Sequence, residues 1–297
     1  MSWPNRPVKF VVPYPAGGSP DQLARQIADQ MAKQFGQGFV IENKPGASGL
    51  LGARAVSQGA ADGYSIAYLS SAHVTLQAMN PKFNLLKELK PVSKFSVSPF
   101  VCVVNANSPI KTMQDLIKAV QANPGKLTFG SAGPGSPAHM AVEYLEEKVG
   151  SFKALHVPYK GAVESINALL GGQVDFSIPV LGTAIPHLMG GKIRALGVTS
   201  EKRLDVLPEV PTIAETGVAG YRYEAWGGIG VAAGTPDDIV EKLRKALVEA
   251  MNSPEVKAFV AKTGSYVELS PSSKAFAEQI AREVAAEGPI VKRLGLT

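Results

Sequence analysis

The sequence predicts an α/β protein of two lobes, each built on a doubly wound sheet flanked by helices. Short apolar runs of strand length alternate with helical patterns along the chain. One pattern, in which a strand runs into a glycine loop and then into a helix, occurs twice, at residues 10–22 and 127–139. The length of 297 residues corresponds to about two domains.

The composition is that of an ordinary globular protein, with 45% hydrophobic and 19% charged residues. The formal net charge is +5 without a long run of like charges, so nucleic acid is not expected as a partner.

No apolar stretch reaches the ~18 residues of a membrane helix. The start of the chain lacks the apolar core of a signal peptide, so the protein is either cytosolic or has lost a leader. Cys102 is expected in a buried strand. Because it is the single cysteine of the sequence, an intrachain disulfide is excluded.

The first lobe is expected to begin with a strand at residues 8–12, where a β-branched run is typical of a parallel strand covered on both faces. The helix that follows has apolar residues at steps of four and ends at Gly36. Ser19 is predicted to cap this helix and to form a capping box with Gln22, and Pro20 suits its first turn.

Two further strands, predicted at residues 39–42 and 65–69, complete a βαβαβ unit. A glycine loop and a short helix over residues 43–56 connect them. In such folds ligands bind beyond the carboxyl ends of the strands. Ser71, just after the third strand, is therefore a candidate ligand contact.

The chain is expected to cross into the second lobe after a strand at residues 100–104. Thr112, with Asp115 three residues later, predicts the start of the next helix. Pro179, within residues 179–183, is a candidate flank of the binding site. Further strands are predicted at residues 127–129, 155–159, 174–178 and 194–199, and a helix at residues 163–170.

An apolar stretch at residues 225–233 is expected to return the chain to the first lobe. The remainder is predicted to be helical, with helices that start near residues 235 and 253 and a last helix over residues 271–286. The first lobe is therefore assigned to residues 1–104 plus 225–297, and the second to residues 105–224. Two crossover segments of this kind would act as a hinge and allow the lobes to close on a ligand.

The two segments that join a strand, a glycine loop and a helix are expected to bind an anion. The free N–H groups and the positive dipole end at a helix N-terminus attract a carboxylate or a phosphate. Neither segment contains a lysine or an arginine between residues 13 and 22 or between residues 129 and 139. The prediction is therefore an anion held by backbone N–H groups and helix dipoles rather than by a fixed cation.

Other chemistries fit these residues less well. Residues 133–138 match a dinucleotide-binding glycine pattern, but the strand that follows ends without the acidic residue that would bind a ribose. Ser136 and His139 suggest a nucleophile and its base, although no G-x-S-x-G motif is present. His139 could instead donate a hydrogen bond into the site or make a structural contact, and Asp21 could stabilise its helix or receive a ligand donor. The four histidines are scattered, so neither a metal nor a cofactor is predicted.

Taken together, these segments resemble the solute receptors of tripartite tricarboxylate transporters, the Bug family of periplasmic substrate-binding proteins. The resemblance covers nearly the whole chain and depends on the order and spacing of several motifs. These are V-V-P-Y-P-A-G-G-S-P-D near the start, V-I-E-N-K-P-G-A-S-G at residues 40–49, A-D-G-Y at 61–64, A-N-P-G-K-L-T-F-G-S-A-G-P-G-S at 122–136, H-V-P-Y-K-G at 156–161, L-L-G-G-Q-V-D at 169–175, G-K-I-R-A-L-G-V-T at 191–199, V-P-T-I-A-E-T-G at 210–217 and A-G-T-P at 233–236.

The resemblance implies a two-lobe periplasmic-binding-protein fold of type II that holds one carboxylate-bearing metabolite and performs no catalysis. It implies delivery of the ligand to the large and small membrane subunits of a tripartite transporter. The receptor is expected to be a periplasmic monomer whose leader has been removed. The alternatives are an enzyme on the same fold and the effector-sensing domain of a regulator, which would need a preceding helix-turn-helix.

The resemblance also implies that the first glycine loop grips the ligand carboxylate, partly through ordered waters. The family more often has Phe and Pro where this chain has Tyr14 and Ala16, so the ligand preference is not expected to follow that of a better-known relative. On this sequence the contacts fall on Tyr14, Ala16, Gly17, Gly18 and Ser19 of the first lobe, and on Ser131, Gly133, Gly135 and Ser136 of the second.

Overall fold

The computed structural model describes residues 3–297 and has the alternating strands and helices that the sequence predicts. The strands in this range are β1 (Val8–Val12), β2 (Phe39–Asn43), β3 (Ser65–Ser70), β4 (Leu89–Pro99), β5 (Val101–Asn105), β6 (Thr128–Ser131), β7 (Leu155–Pro158), β8 (Phe176–Ser177), β9 (Ile193–Val198), β10 (Glu224–Ala232) and β11 (Tyr266–Val267). The α-helices are α1 (Ser19–Phe35), α2 (Leu50–Ser57), α3 (Ala72–Met79), α4 (Leu85–Glu88), α5 (Met113–Ala122), α6 (Pro137–Val149), α7 (Ala162–Leu170), α8 (Leu181–Met189), α9 (Asp237–Met251), α10 (Pro254–Lys262) and α11 (Ser273–Arg293).

The chain divides into two compact units, and the first of them is discontinuous, as the first predicted lobe is. The first unit consists of the chain up to Val97 together with Trp226–Thr297, and the second is Ser98–Ala225. The first crossing differs from the prediction, which places residues up to 104 in the first lobe. β5 pairs with β8 and β9 in the sheet of the second unit. The strand that ends the first segment of the first unit is instead β4, which the sequence analysis did not identify.

The sheet of the first unit has six strands in the order β11-β4-β10-β3-β1-β2. β1 is parallel to both of its neighbours, with Val8 opposite Phe39 in β2 and Lys9 opposite Ser65 in β3. Phe10 and Val11 point to opposite faces of the sheet, and both are buried. The prediction of a parallel strand covered on both faces is therefore confirmed. β10 runs antiparallel to β3 and returns the chain to this sheet, again as predicted.

The sheet of the second unit has five strands in the order β7-β6-β8-β5-β9. β6 is parallel to β7 and β8, whereas β5 is antiparallel to β8 and β9. Cys102 lies in β5 and is buried as a free thiol, which confirms its predicted place in a strand. Burial raises the pKa of this thiol well above its ordinary value, so the side chain behaves as a small apolar group.

Most helix ends that were predicted from local sequence signals agree with the structure. α1 ends at Gly36, whose φ of 65° is left-handed, and the capping box of Thr112 and Asp115 forms at the start of α5. α11 differs from the prediction of a helix over residues 271–286, because it continues to Arg293. Ile290 and Val291 are buried in this extension, so packing sustains the helix past Pro289. Within residues 3–297, no helix combines the length and the apolar character needed to cross a membrane.

Candidate functional site

The candidate site is built on two glycine loops, one in each unit, and each loop directly follows a parallel strand. The first glycine loop, residues 14–19, follows β1, which lies between the parallel strands β2 and β3. The second glycine loop, residues 132–136, follows β6, which lies between the parallel strands β7 and β8. Each loop therefore lies at the carboxyl edge of three parallel strands, where α/β folds bind ligands.

Asp21 holds the first glycine loop in place. The residue is 1% exposed, and its carboxylate accepts hydrogen bonds from Gly17 N–H (2.8 Å), Asn43 Nδ2 (2.8 Å) and Arg25 Nε (3.0 Å). Asn43 Nδ2 also donates to the carbonyl oxygen of Tyr14 (3.0 Å). Burial raises the pKa of Asp21, but the three hydrogen bonds outweigh this effect and hold it below its ordinary value. Asp21 is therefore a structural anchor of the loop in the form of an ion.

The predicted cap of α1 is wrong in its details. Ser19 is the first helical residue and Gly18 occupies the N-cap, and among residues 3–297 no side chain caps this helix. The amide of Gln22 donates to the carbonyl oxygen of Gly17 (2.7 Å) instead of forming a box with Ser19. The reason is that Asp21 already accepts the N–H of Gly17, which places the helix start one residue earlier than predicted. Ala16 to Ser19 are consequently exposed.

Tyr14 and Ser71 are tied to neighbouring strands of the first unit. The Tyr14 hydroxyl donates to Ser70 Oγ (2.8 Å). Burial raises the pKa of this hydroxyl, although the hydrogen bond to Ser70 acts in the opposite direction. Ser71 Oγ accepts the N–H of Trp226 (3.3 Å), and Ser71 N–H donates to the carbonyl oxygen of Trp226 (3.1 Å). Both predicted site residues therefore lie at the carboxyl edge of the sheet with defined orientations.

Ser131 shapes the second glycine loop. Its side chain is fully buried, and its Oγ accepts the N–H of Gly133 (3.0 Å) and lies 2.6 Å from Nε2 of His156. Gly133 and Gly135 have φ values of 114° and 75°, which only glycine adopts without strain. The backbone then turns so that Ser136 N–H donates to the carbonyl oxygen of Gly133 (3.1 Å).

His139 makes contacts inside its own unit. Its Nδ1 accepts the N–H of Gly135 (3.0 Å), its Nε2 lies 3.2 Å from Glu143 Oε1, and its side chain is 4% exposed. Of the two roles that the sequence left open, donation into the site and a structural contact, the geometry supports the structural contact. The ring stacks on His156 with 3.9 Å between the ring centroids and 9° between the ring planes.

His156 was not among the predicted site residues, yet it contacts Ser131 and His139 at the base of the second loop. Burial and the neighbouring His139 lower the pKa of His156 to about 4, although Glu143 acts in the opposite direction. His156 is therefore neutral near pH 7. The only sequence signal for it is its position in H-V-P-Y-K-G, at the end of a strand next to β6.

Ser136 and Pro179 complete the predicted residues of the second unit. Ser136 is the N-cap residue of α6. Its Oγ is buried and has no hydrogen-bond partner in the part of the chain that the structure describes. Pro179 is buried two residues after β8, and its carbonyl oxygen accepts the N–H of Val101 (3.1 Å). Pro179 thus lies at the same edge of the sheet as the second loop, since β8 and β6 are parallel.

The two loops have corresponding structures. When they are aligned by structure, however, their serine-proline pairs do not coincide. Asp21 and His139 are each the third helical residue, and each accepts the N–H of a glycine four residues earlier. In that alignment Gly18 matches Ser136, and Ser19 matches Pro137. The repeated G-S-P motif therefore locates both loops but misaligns them by one residue. Within residues 3–297, no cluster of three or more His, Cys, Asp or Glu side chains is arranged to bind a metal.

Comparison with known sequences assigns the family. The model of the tripartite tricarboxylate transporter family receptor, TctC, matches residues 23–296. A Cupriavidus necator protein, named UPF0065 protein in gbd 5'region, is 37% identical over 298 residues, which are 99% of this chain and 89% of that protein. Protein BugT of Bordetella pertussis is 32% identical over 300 residues, which are 99% of this chain and 91% of BugT.

Solved structures agree with this assignment. A TctC solute-binding protein from Polaromonas, 29% identical, matches with a TM-score of 0.89 over 98% of this chain and 100% of that chain. MatC from Rhodopseudomonas palustris with bound malate matches with a TM-score of 0.76 at 30% identity, over 97% of this chain and 100% of MatC. An R. palustris protein with adipate matches with a TM-score of 0.78 at 30% identity, over 99% of both chains. The chain therefore belongs to the tripartite tricarboxylate transporter receptor family, TctC, whose members are solute receptors and not enzymes, as the motifs of the sequence predict.

Proposed function

We propose that this receptor binds a small mono- or dicarboxylate, aliphatic or aromatic, with donors from both glycine loops, and that the two units close on the ligand. The observation that carries the proposal is that α1 and α6, the two helices that follow the glycine loops at the carboxyl edges of parallel strands, both begin without a side-chain cap among the described residues. Uncapped helix N-termini leave N–H groups free for an anion. Relatives at 30% identity bind malate and adipate, which supports a carboxylate as that anion.

In the first unit, the donors proposed for the ligand are the N–H groups of Gly18 and Ser19 and the Ser19 hydroxyl. These residues are exposed. Gly17 contributes through its left-handed φ of 92° rather than through its N–H, which already donates to Asp21. Ala16, Tyr14 and Ser71 are proposed to line the site, where the hydrogen bonds of Tyr14 and Ser71 keep both side chains in fixed orientations.

In the second unit, the proposed donors are the Ser136 hydroxyl and the N–H groups at the start of α6. The Ser136 hydroxyl is buried without a hydrogen-bond partner in the described chain, and a buried polar group of this kind gains most from a ligand acceptor. Ser131, Gly133, Gly135 and His139 are proposed to set the shape of the loop, and Pro179 to flank it. A charge-assisted hydrogen bond contributes about 1.5–3 kcal/mol, so a few of them offset much of the cost of desolvating a carboxylate.

The partners proposed for the loaded receptor are the large and small membrane subunits of a tripartite tricarboxylate transporter, which the receptor would meet in the periplasm as a monomer. Membership of the receptor family supports this role. The test is transport of a labelled carboxylate into vesicles that contain the two membrane subunits. Uptake that is the same with and without the receptor would contradict the proposal.

A thermal-shift screen of carboxylates, starting with malate and adipate, tests binding directly. A ligand at a hundredfold excess over its Kd stabilises the folded state by about 2.7 kcal/mol, which is readily measured as a rise in Tm. The receptor role would be contradicted if no carboxylate raised the Tm, or if a bound acid were chemically converted.

The Ser136→Ala substitution separates ligand binding from folding. We expect it to weaken carboxylate binding by about tenfold, the usual effect of one lost hydrogen bond to a charged group. The Tm should stay unchanged, because the Ser136 hydroxyl has no partner in the described chain and does not cap α6. Isothermal titration and thermal unfolding measure the two effects.

Thr112→Ala is the matched control in the same unit. The Thr112 hydroxyl accepts the N–H of Asp115 (3.1 Å) and caps α5, so its loss should cost about 1 kcal/mol of stability and leave affinity unchanged. Ser19→Ala should behave like Ser136→Ala, since Ser19 does not cap its helix. Unchanged affinity in both serine variants would refute their place among the ligand donors.

A further inference from the structure

Beneath the second glycine loop lies a pair of stacked imidazoles that the sequence motifs do not explain. The rings of His139 and His156 are 3.9 Å apart and nearly parallel, with 9° between their planes. The ring of Phe129 stacks against His156 at a centroid distance of 4.9 Å. Apolar contact alone would be served by any flat ring, so the nitrogens of the two histidines need their own explanation.

The hydrogen bond from Gly135 determines the proton position on His139. Because Gly135 N–H donates to Nδ1 at 3.0 Å, that nitrogen carries no proton. The proton of the neutral ring is then on Nε2, which faces Glu143 Oε1 at 3.2 Å. His139 thus connects the N–H of a left-handed glycine in the loop with a carboxylate of its own helix.

His156 makes the corresponding connection on the other side of the loop. Its Nε2 lies 2.6 Å from Ser131 Oγ, and the same oxygen accepts the N–H of Gly133 at 3.0 Å. The two imidazoles therefore reach the two left-handed glycines of the loop, Gly135 directly and Gly133 through Ser131. Ser136 follows Gly135, so the position of its hydroxyl depends on both contacts.

We propose that His156 is a positioning residue for ligand binding, which fixes Gly133 through Ser131 and supports His139 through the ring stack. This inference rests on the carboxylate-binding role proposed above. His156 itself need not touch the ligand. The function of the pair is to hold the second glycine loop in the conformation that presents the Ser136 hydroxyl and the N–H groups of α6.

Two substitutions distinguish this role from simple packing. His156→Phe keeps a flat ring for stacking but removes the nitrogen that meets Ser131. His156→Gln loses the ring but places an amide group near the position of Nε2, where it can donate to Ser131 or accept from it. If His156 positions the loop, the Gln variant should resemble the wild type more closely than the Phe variant does. If His156 only fills space, the order should be reversed.

The primary measurement needs no ligand. Amide hydrogen exchange of Gly133 and Gly135, followed by NMR, reports how firmly their N–H groups are held. Their sequence neighbours are the same in every variant, so their intrinsic exchange rates do not differ. In His156→Phe, Ser131 loses its hydrogen bond to His156 and therefore holds Gly133 N–H less firmly. We expect exchange of Gly133 to accelerate by up to about tenfold in this variant, the upper limit if the contact to Ser131 Oγ is lost as well, and by much less in His156→Gln. His187→Gln, at a histidine of α8, is the control and should leave both amides unchanged.

Titration with malate and with adipate then extends the test to binding. The affinity of the wild type for whichever acid it binds should fall in the Phe variant and be largely retained in the Gln variant. If the wild type bound no carboxylate, the proposed function would fail, while the exchange data would still decide the role of His156. Equal exchange of Gly133 in the two variants, or slower exchange in Phe than in Gln, would overturn the inference.

Discussion

At the scale of single residues, the first glycine loop depends on one buried carboxylate. Asp21 accepts hydrogen bonds from Gly17, Arg25 and Asn43, which lie on the loop, on its helix and at the end of β2. The equivalent position of the second loop is His139, whose Nδ1 also accepts a glycine N–H. The same loop geometry is thus stabilised by an ion in one unit and by an imidazole in the other.

The Asp21→Asn substitution tests the anchor. An amide can accept with only one of its two polar atoms, so we expect the free energy of unfolding to fall by about 1–3 kcal/mol near pH 7. The folded-state pKa of Asp21 is below its ordinary value, so this stability is present at neutral pH and is lost as the pH falls through the folded-state pKa. The difference between variant and wild type should therefore narrow in acid.

Urea denaturation at pH 7 and at about pH 3 measures both effects. Asp29→Asn is the matched control, because Asp29 lies on the same helix but is exposed. The free energy of unfolding of the Asp29→Asn variant should differ little from that of the wild type at either pH. A loss of equal size in the two variants, or a loss that does not depend on pH, would contradict the role of Asp21 as an ionised anchor.

At the scale of elements, the sequence predicts well what local signals determine. The β-branched run of β1, the stop of α1 at Gly36 and the capping box of α5 involve residues within a few positions of one another, and all three are confirmed. Elements that depend on distant contacts were missed or misplaced. β4, which was not predicted, lies between β10 and β11 from the far end of the chain, and the last turns of α11 depend on the burial of Ile290.

The candidate site shows the same contrast between features that local sequence signals determine and features that depend on distant contacts. The glycine loops could be located because strand, glycine and helix signals are adjacent in the sequence. The sequence could not show which loop groups are already in use, because Gly17 N–H is taken by Asp21 and Gly135 N–H by His139 only once the chain has folded. His156 was missed for a related reason, since it reaches Ser131 from a neighbouring strand.

The packing of α11 on α3 includes a buried acid. Glu287 is 5% exposed and accepts a hydrogen bond from the Thr75 hydroxyl (2.7 Å). Burial raises the pKa of Glu287 to about 7; the hydrogen bond from Thr75 acts in the opposite direction, and the nearby Glu283 raises it further. The folded-state pKa lies above the unfolded value, so the folded state is favoured at acidic pH and loses stability as the pH rises through 7.

Glu287→Gln is therefore expected to stabilise the protein in mild alkali. The amide keeps a polar partner for Thr75 but cannot ionise, so near pH 8 the variant should be more stable by on the order of 3 kcal/mol. Near pH 4, below the ordinary pKa of a glutamate, the two proteins should be nearly equal. Thermal unfolding across this range measures the change, with Glu278→Gln, an exposed position of the same helix, as the control. A gain in stability that is constant with pH would be inconsistent with a titrating Glu287.

At the scale of the whole molecule, each unit has its own hydrophobic core. Phe10, Ile27 and Met31 belong to a cluster of the first unit, and Phe129 and Phe176 to a cluster of the second. Each core cluster of the described residues draws its members from a single unit. The second unit is also continuous in sequence, whereas the first is interrupted by it. The second unit therefore meets the physical requirements for folding alone.

The segment Ser98–Ala225, expressed alone, is expected to unfold in a single cooperative transition, because its two core clusters lie within it. It should not respond to the carboxylate that stabilises the full chain, since it contains the second glycine loop but lacks the first. Thermal unfolding of the segment and of the full chain, with and without malate or adipate, measures both expectations. Absence of a cooperative transition would show that the second unit needs the first in order to fold. A rise in Tm as large as that of the full chain would show that one loop suffices, and the proposal of a ligand held by both loops would be wrong.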